Sequence, residues 1–248
     1  MFTKGNGQFP TTQWALIERL SAGDTKDARL ALDELCAQYH YPLYCYIRSR
    51  GLEHYDAEDA LHDFLVRQLR LDSLKRASEG RGRLRHFLTV SLKRFLITRH
   101  QAKATRMQER CLSLEALQGA MDKAEQRYLK ERFTDGHTPE HVFDRQWAHE
   151  LLARVLRRLG EHYASRGREA LFKALRPSLL AGGSLRGQPV EAMAESLGTT
   201  AGALRTAQLR LLAKYREFVE AEVAQTVSDP ADVRGEIEYL MSLFASPE

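Results

Sequence analysis

The stretch Asp56-Ala-Glu-Asp-Ala-Leu-His-Asp-Phe-Leu-Val-Arg67 interleaves acids and apolar groups at helical spacing. Ala57, Ala60, Leu61, Phe64, Leu65 and Leu69 form one apolar stripe able to face a core. Asp56, Asp59 and Asp63 fall on a separate carboxylate face, with Glu58 close by. Like charges at this spacing repel one another unless a basic partner meets them. A solvated face whose early acids complement the helix dipole accounts for the same residues.

Immediately downstream the charge inverts. Arg81-Gly-Arg-Leu-Arg-His-Phe-Leu-Thr-Val-Ser-Leu-Lys-Arg-Phe95 opens a segment to Arg110 that holds nine Lys or Arg against one acid, Glu109. Leu84, Leu88, Leu92, Phe95 and Leu96 can face a core, while Arg99, Lys103, Arg106 and Arg110 line up as a basic stripe. Such a stripe neutralises backbone phosphates and binds them in a salt-sensitive, largely sequence-blind way. Arg85, Lys93 and Arg94 extend the candidate phosphate contacts, and Phe87 is the aromatic placed to stack on a splayed base. Ordinary core packing is the alternative for any single ring.

Helical spacing extends through the rest of the chain, with no run of alternating β-branched residues, so an all-α fold is expected. Gly and Pro clusters near residues 5–10, 80–82, 136–139 and 182–189 punctuate the helices. They suggest an N-terminal helical domain over 12–106, a polar linker over 107–138 with a short helix near Glu115 to Phe133, and a second helical domain over 139–223. A C-terminal extension, 224–248, opens its helix with Asp229-Pro230, a cap followed by a first-turn proline. Val233, Ile237, Leu240, Met241 and Phe244 give that helix an apolar stripe that should dock, either on the second domain or where it gates access of DNA.

The second domain carries a more specific pattern. Val190, Met193, Ala194 and Leu197 sit on one face of a short helix, Gly198 supplies a left-handed turn, and Thr199 or Thr200 caps the next helix. Leu204, Ala207, Leu211 and Tyr215 form the inner face of that longer helix. This is the pattern of a helix-turn-helix, whose second helix enters a DNA major groove by its N-terminal part. Thr199, Thr200, Arg205, Thr206 and Arg210 are then the candidates for base or phosphate contact. A plain helical hairpin remains the alternative.

At 248 residues and net charge +4, the basic segment is a local feature that the total conceals. The three cysteines, Cys36, Cys45 and Cys111, show no CxxC spacing, which fits reduced thiols in a cytoplasmic protein. No apolar run approaches the length of a membrane span, and the N-terminus lacks the apolar core of a secretory signal. No phosphate-binding loop, zinc spacing or nucleophile motif stands out. The acids of the first helix lie on one element and lack the converging ligands of a magnesium site. No catalytic residue, metal or cofactor is therefore expected.

Taken in order, these residues resemble the extracytoplasmic-function sigma factors, two-domain specificity subunits of bacterial RNA polymerase. The resemblance runs from Thr12-Gln-Trp to about Ala231. It is closest to a subgroup reading like Tyr41-Pro-Leu-Tyr-Cys-Tyr-Ile-Arg-Ser-Arg-Gly, Asp56-Ala-Glu-Asp, Gly80-Arg-Gly-Arg-Leu-Arg-His-Phe-Leu and Thr138-Pro-Glu-His-Val-Phe-Asp-Arg-Gln-Trp-Ala. It implies that Asp56, Glu58, Asp59 and Asp63 dock on the clamp coiled coil of the polymerase. The helix from Leu84 to Arg106 would hold and open the minus-ten promoter element, through Arg85, Phe87, Lys93, Arg94, Arg99, Lys103 and Arg106. The helix-turn-helix would read the minus-thirty-five element beside the polymerase flap. Leu209, Leu212 and Ala213 dilute the charge usual in that recognition helix, which weakens or shifts upstream affinity. An anti-sigma factor or another regulator is a further candidate partner. A stand-alone helix-turn-helix regulator would explain the second domain but leave the acidic helix idle.

Overall fold

The computed structural model describes residues 16, 19, 26–70, 83–102, 115–131, 138–180, 182–227 and 229–244. Among them every regular element is helical: α1 (Lys26–Ser49), α2 (His54–Arg70), α3 (Leu84–Ala102), α4 (Glu115–Lys130), α5 (Pro139–Ala164), α6 (Glu169–Leu180), α7 (Val190–Ser196), α8 (Ala201–Ala224) and, after a 3-10 turn at Pro230–Asp232, α9 (Val233–Ser242). The all-α fold is as the helical spacing predicts. Of the opening helix expected from Thr12, only Leu16 and Arg19 are described, both helical; the rest lies outside the described residues. Among the described residues no helix is long and apolar enough to cross a membrane.

The chain divides into two compact units, Met1–His149 with Ala224–Glu248, and Glu150–Val223. These limits differ from the expected ones, because the beginning of α5 and the C-terminal extension both pack within the first unit.

In that unit α1 runs through Pro42 without ending, and its buried face presents Tyr39, Leu43, Tyr44 and Ile47. The apolar stripe of α2 meets it, with Ala57, Ala60, Leu61 and Phe64 fully buried. Leu84, Leu88 and Leu92 of α3 complete this layer, and Phe95 lies tilted against Phe64 at 5.7 Å between ring centres. Thr138 caps α5, its hydroxyl accepting from the His141 amide at 3.2 Å, with Pro139 at the first helical position. Trp147 from α5 is fully buried and stacks on Tyr39 at 6.5 Å.

The segment expected to be a linker is not a bare tether, since α4 docks on α1. Glu125 accepts from the Tyr44 hydroxyl and from Arg48 at 3.2 Å, while the Arg127 guanidinium covers the Tyr41 ring at 3.9 Å. Sequence pattern alone places a helix here; the tertiary anchor comes from Glu125 and Arg127 together.

The second unit encloses its own core of Leu159, Tyr163, Phe172, Leu175, Val190, Ala194, Leu204 and Leu211. Glu222 ties α8 to α5 through Arg158.

Of the two described cysteines, Cys45 is buried and Cys36 half-buried. Burial, and then the Asp33 charge, push the Cys36 thiol up to about 11, so it stays protonated at neutral pH. His40 is a buried base on α1, and burial lowers it from the usual 6.5 to about 4. The unfolded chain takes up this proton below pH 6.5, whereas the folded chain resists until about 4. Stability is therefore complete above pH 6.5 and falls as pH drops toward 4, by a loss on the order of 3 kcal/mol. Denaturant titrations across that range should show the slope, and His40→Gln should flatten it.

Candidate nucleic-acid and partner interface

The turn between α7 and α8 is built from backbone hydrogen bonds. The Gly198 amide donates to the Glu195 carbonyl at 3.0 Å and the Thr199 amide to the Ala194 carbonyl at 2.9 Å. This is a Schellman ending, and it requires the left-handed φ of +62° that Gly198 adopts. Thr200 rather than Thr199 then caps α8, its hydroxyl accepting from the Ala203 amide at 3.2 Å. Leu204 and Leu211 are fully buried against Val190 and Ala194, as helix-turn-helix spacing requires.

One polar group pins α8 from within. Gln208 is buried and donates to the Ser178 hydroxyl at 3.1 Å and to the Gly183 carbonyl at 2.6 Å. The sequence gives no hint of this role, because a glutamine on a recognition helix reads as a base contact.

With Leu204, Gln208 and Leu211 turned inward, the opposite face of α8 is fixed. Thr199, Thr200, Arg205, Thr206 and Arg210 are all exposed there, so the expected contact set shares one surface. The hydroxyl of Thr206 is spent on the Gly202 carbonyl at 3.1 Å. Arg205 pairs with Glu191 of α7 at 3.3 Å, beside an open cleft of about 460 Å³ that Arg186, Gln188 and Leu209 also line. Glu191 and the 66% exposed Leu209 were not among the expected contacts. The Glu191 carboxylate meets Arg205 by one contact between exposed side chains, a pair that water screens, and Leu209 offers an apolar contact of the kind that meets a thymine methyl.

On α2, Asp56, Asp59 and Asp63 are exposed on the face opposite the buried stripe. Glu58 lies apart from them: half-buried, it pairs with His54 at 3.3 Å, and His54 Nδ1 lies 2.9 Å from the Tyr44 hydroxyl oxygen, whose proton goes to Glu125. Tyr55, 80% exposed, stands one helical turn before Asp59 and adds a large apolar ring to the carboxylate face. Its position off the stripe is the signal that marks it.

The expected minus-ten set does not form one surface. Arg85 is 5% exposed and enclosed, with its guanidinium 4.9 Å from the Trp147 ring centre and 5.3 Å from that of Tyr239. It pairs with Glu236 of α9 and lies 3.3 Å from Asp144. Burial pushes its guanidinium below the ordinary value, with Asp144 acting in the opposite direction. The assignment of Arg85 to an exposed phosphate-binding face is therefore corrected: it is a buried ion-pair partner. Arg99 donates to the Asp56 carbonyl at 3.0 Å and lies 3.7 Å from Asp63, so it bridges α3 to the acidic helix. Lys93 is exposed and pairs with Glu140 at 3.3 Å, Arg94 is exposed, and Phe87 is half-buried. Lys103 and Arg106 lie outside the described residues.

The C-terminal extension docks within the first unit and not on the second domain, the first of its two expected placements. Asp229 caps the 3-10 turn, accepting from the Ala231 amide at 2.9 Å. The face of α9 that docks carries Glu236, Leu240 and Leu243, while Met241 is exposed. It packs on α3 and the start of α5 within the first unit: Tyr239 donates to Asp144, and Phe244 meets His149 edge-on at 4.7 Å. Among the described residues no group of three or more His, Cys, Asp or Glu is arranged to hold a metal ion.

The α6–α8 connection sets the orientation of α8 and is open to a direct test. Gly183 has φ +81°, and an added Cβ would fall 2.8 Å from the Leu212 methyl, which can swing aside. Gly183→Ala should therefore cost mainly backbone strain, about 1–3 kcal/mol, read as a lowered denaturant midpoint. Gly187→Ala shares the strain without any close neighbour and gives the comparison.

No protein-family model, no curated protein and no solved structure matches the chain.

Proposed function

We propose that the protein is a sigma factor, binding core RNA polymerase and directing it to promoters, with no catalytic centre of its own. The observation that carries this reading is the capped helix-turn-helix of α7 and α8, with Arg205, Thr206 and Arg210 facing outward from one inner-face register. Its second support is the exposed Tyr55, Asp56, Asp59 and Asp63 face, an array with no use in an isolated DNA-binding module. The sequence resemblance to extracytoplasmic-function sigma factors joins both features in one activity.

In this reading α2 docks on a basic polymerase surface, and its carboxylates contribute specificity and encounter rate more than raw affinity. The recognition helix contacts the upstream promoter element from the major groove. Arg205 exchanges its exposed pair with Glu191 for a guanine edge, and flanking cations grip phosphate. The exposed part of α3, with Lys93 and Arg94, engages the downstream element. Cytoplasmic localisation follows from the activity.

A second reading, a free-standing helix-turn-helix regulator, draws support from the internal engagement of Arg85 and Arg99. Capture by core polymerase separates the two. Reversal of Asp56, Asp59 and Asp63 to Lys should weaken capture while circular dichroism stays unchanged; undiminished capture removes α2 from the docking role. In footprinting of the holoenzyme, Arg205→Ala should relax preference at one upstream base pair by about 1–3 kcal/mol. A uniform loss over all sequences would make Arg205 a phosphate contact.

A further inference from the structure

We propose that α9 is an intramolecular anionic plug: Glu236 occupies, on Arg83 and Arg85, the seat of a nucleic-acid phosphate, and a phosphate-bearing strand must displace it. This deepens the sigma-factor reading, because it rests on α3 being a nucleic-acid helix.

Glu236 has no exposed surface, yet it is a carboxylate on a short terminal helix. It lies 2.9 Å from Arg83 and accepts from Arg85 at 3.2 Å, so one acid engages two guanidiniums at the N-terminal end of the basic helix. A phosphate group presents the same charge and the same fork of oxygens to arginine.

The rest of α9 is small. It has ten residues, below the length at which a helix persists alone in water. Leu240 and Leu243 are its buried apolar anchors, joined by the Tyr239–Asp144 hydrogen bond and the Phe244–His149 contact, while Met241 and the Arg234–Glu238 pair face outward. Displacement gives up those contacts and returns the carboxylate to water, leaving two arginines without their acid. An arriving phosphate replaces that acid.

A route in is already open. A cavity of about 540 Å³ adjoins the pair, with Arg83, His86, Lys93 and Tyr239 on its wall beside the acids Glu140 and Asp144. Arg83 keeps 40% of its side chain exposed, so an incoming strand reaches it before Arg85. A polyanion that contacts both arginines only when α9 has left will shift the population toward the open form.

The test uses the full chain and a labelled single-stranded oligonucleotide, without polymerase, in fluorescence anisotropy. Glu236→Gln should bind several-fold more tightly than the unaltered chain. Its salt dependence should match that of the unaltered chain, because both complexes make the same two phosphate contacts once Glu236 is out of the way. Adding Arg83→Gln should flatten the slope by about 0.7, one phosphate contact on a single strand. Unchanged or weaker binding by a folded Glu236→Gln protein overturns the plug.

Should that variant not fold, hydrogen exchange on the unaltered chain decides. Saturating oligonucleotide should speed exchange across Val233–Ser242, and a bound complex in which α9 exchanges as slowly as before overturns the proposal, as does failure to bind the oligonucleotide at all. Polymerase plays no part in either readout, so failed capture would sink the sigma-factor reading without touching the plug.

Discussion

A carboxylate without exposed surface constrains the first unit more than any apolar contact does. Glu236 can remain ionised there only with cations within hydrogen-bonding reach, and it draws Arg83 and Arg85 from 151 residues away in the case of Arg85. Trp147 and Tyr239 flank the Arg85 guanidinium, so the pair is walled by rings that exclude water and strengthen it. Desolvation offsets most of that gain, and a buried pair adds little to net stability. What it does enforce is register. Loss of either partner strands the other, at about 3–5 kcal/mol, so α3, the start of α5 and α9 must meet in this one arrangement. The C-terminal helix is thereby tied into the first unit.

The helix-turn-helix was legible in the sequence because its determinants are local. Val190, Ala194, Leu204 and Leu211 are buried where 3.6-residue spacing puts them, and Gly198 takes the positive φ that its place between two helices demands. The stripe of α2 was legible on the same grounds. The docking face of α9 was legible in part. Of the stripe Val233, Ile237, Leu240, Met241 and Phe244, Leu240 is buried and Phe244 meets His149, but Met241 is exposed, and Glu236 and Leu243 are buried in addition. Pattern reasoning assigns a charged side chain to solvent unless its partner is known, and here the partners lie in another segment. Glu125 of α4 and Gln208 of α8 escaped for the same reason: each is polar, and each is fixed by groups distant in sequence.

Arg85 is the instructive case, because its helix did carry a signal. It stands three and seven residues before Leu88 and Leu92, on the buried stripe of α3 rather than across from it. Counting nine cations against one acid treated the segment as a single surface, yet a helix distributes its residues around an axis. The tally measures composition; only angular position decides what meets solvent. On α8 the same test favours Arg205 and Arg210, since Leu204, Gln208 and Leu211 take the inward positions.

The cations of α3 therefore come in two grades. Arg99 reaches Asp63 at 3.7 Å, and that carboxylate is 60% exposed, so water and salt screen the pair to about 1 kcal/mol or less. An outside phosphate that takes over this arginine must also replace its hydrogen bond to the Asp56 carbonyl, but Asp63 is then left solvated rather than stranded. At the other end of the helix, Arg85 is 5% exposed and Glu236 has no exposed surface, so any substitute for Glu236 must arrive as the carboxylate leaves. Charge alone would rank the two arginines as equals. Their surroundings separate a cation at a polyanion's disposal from one that is withheld until the C-terminal helix moves.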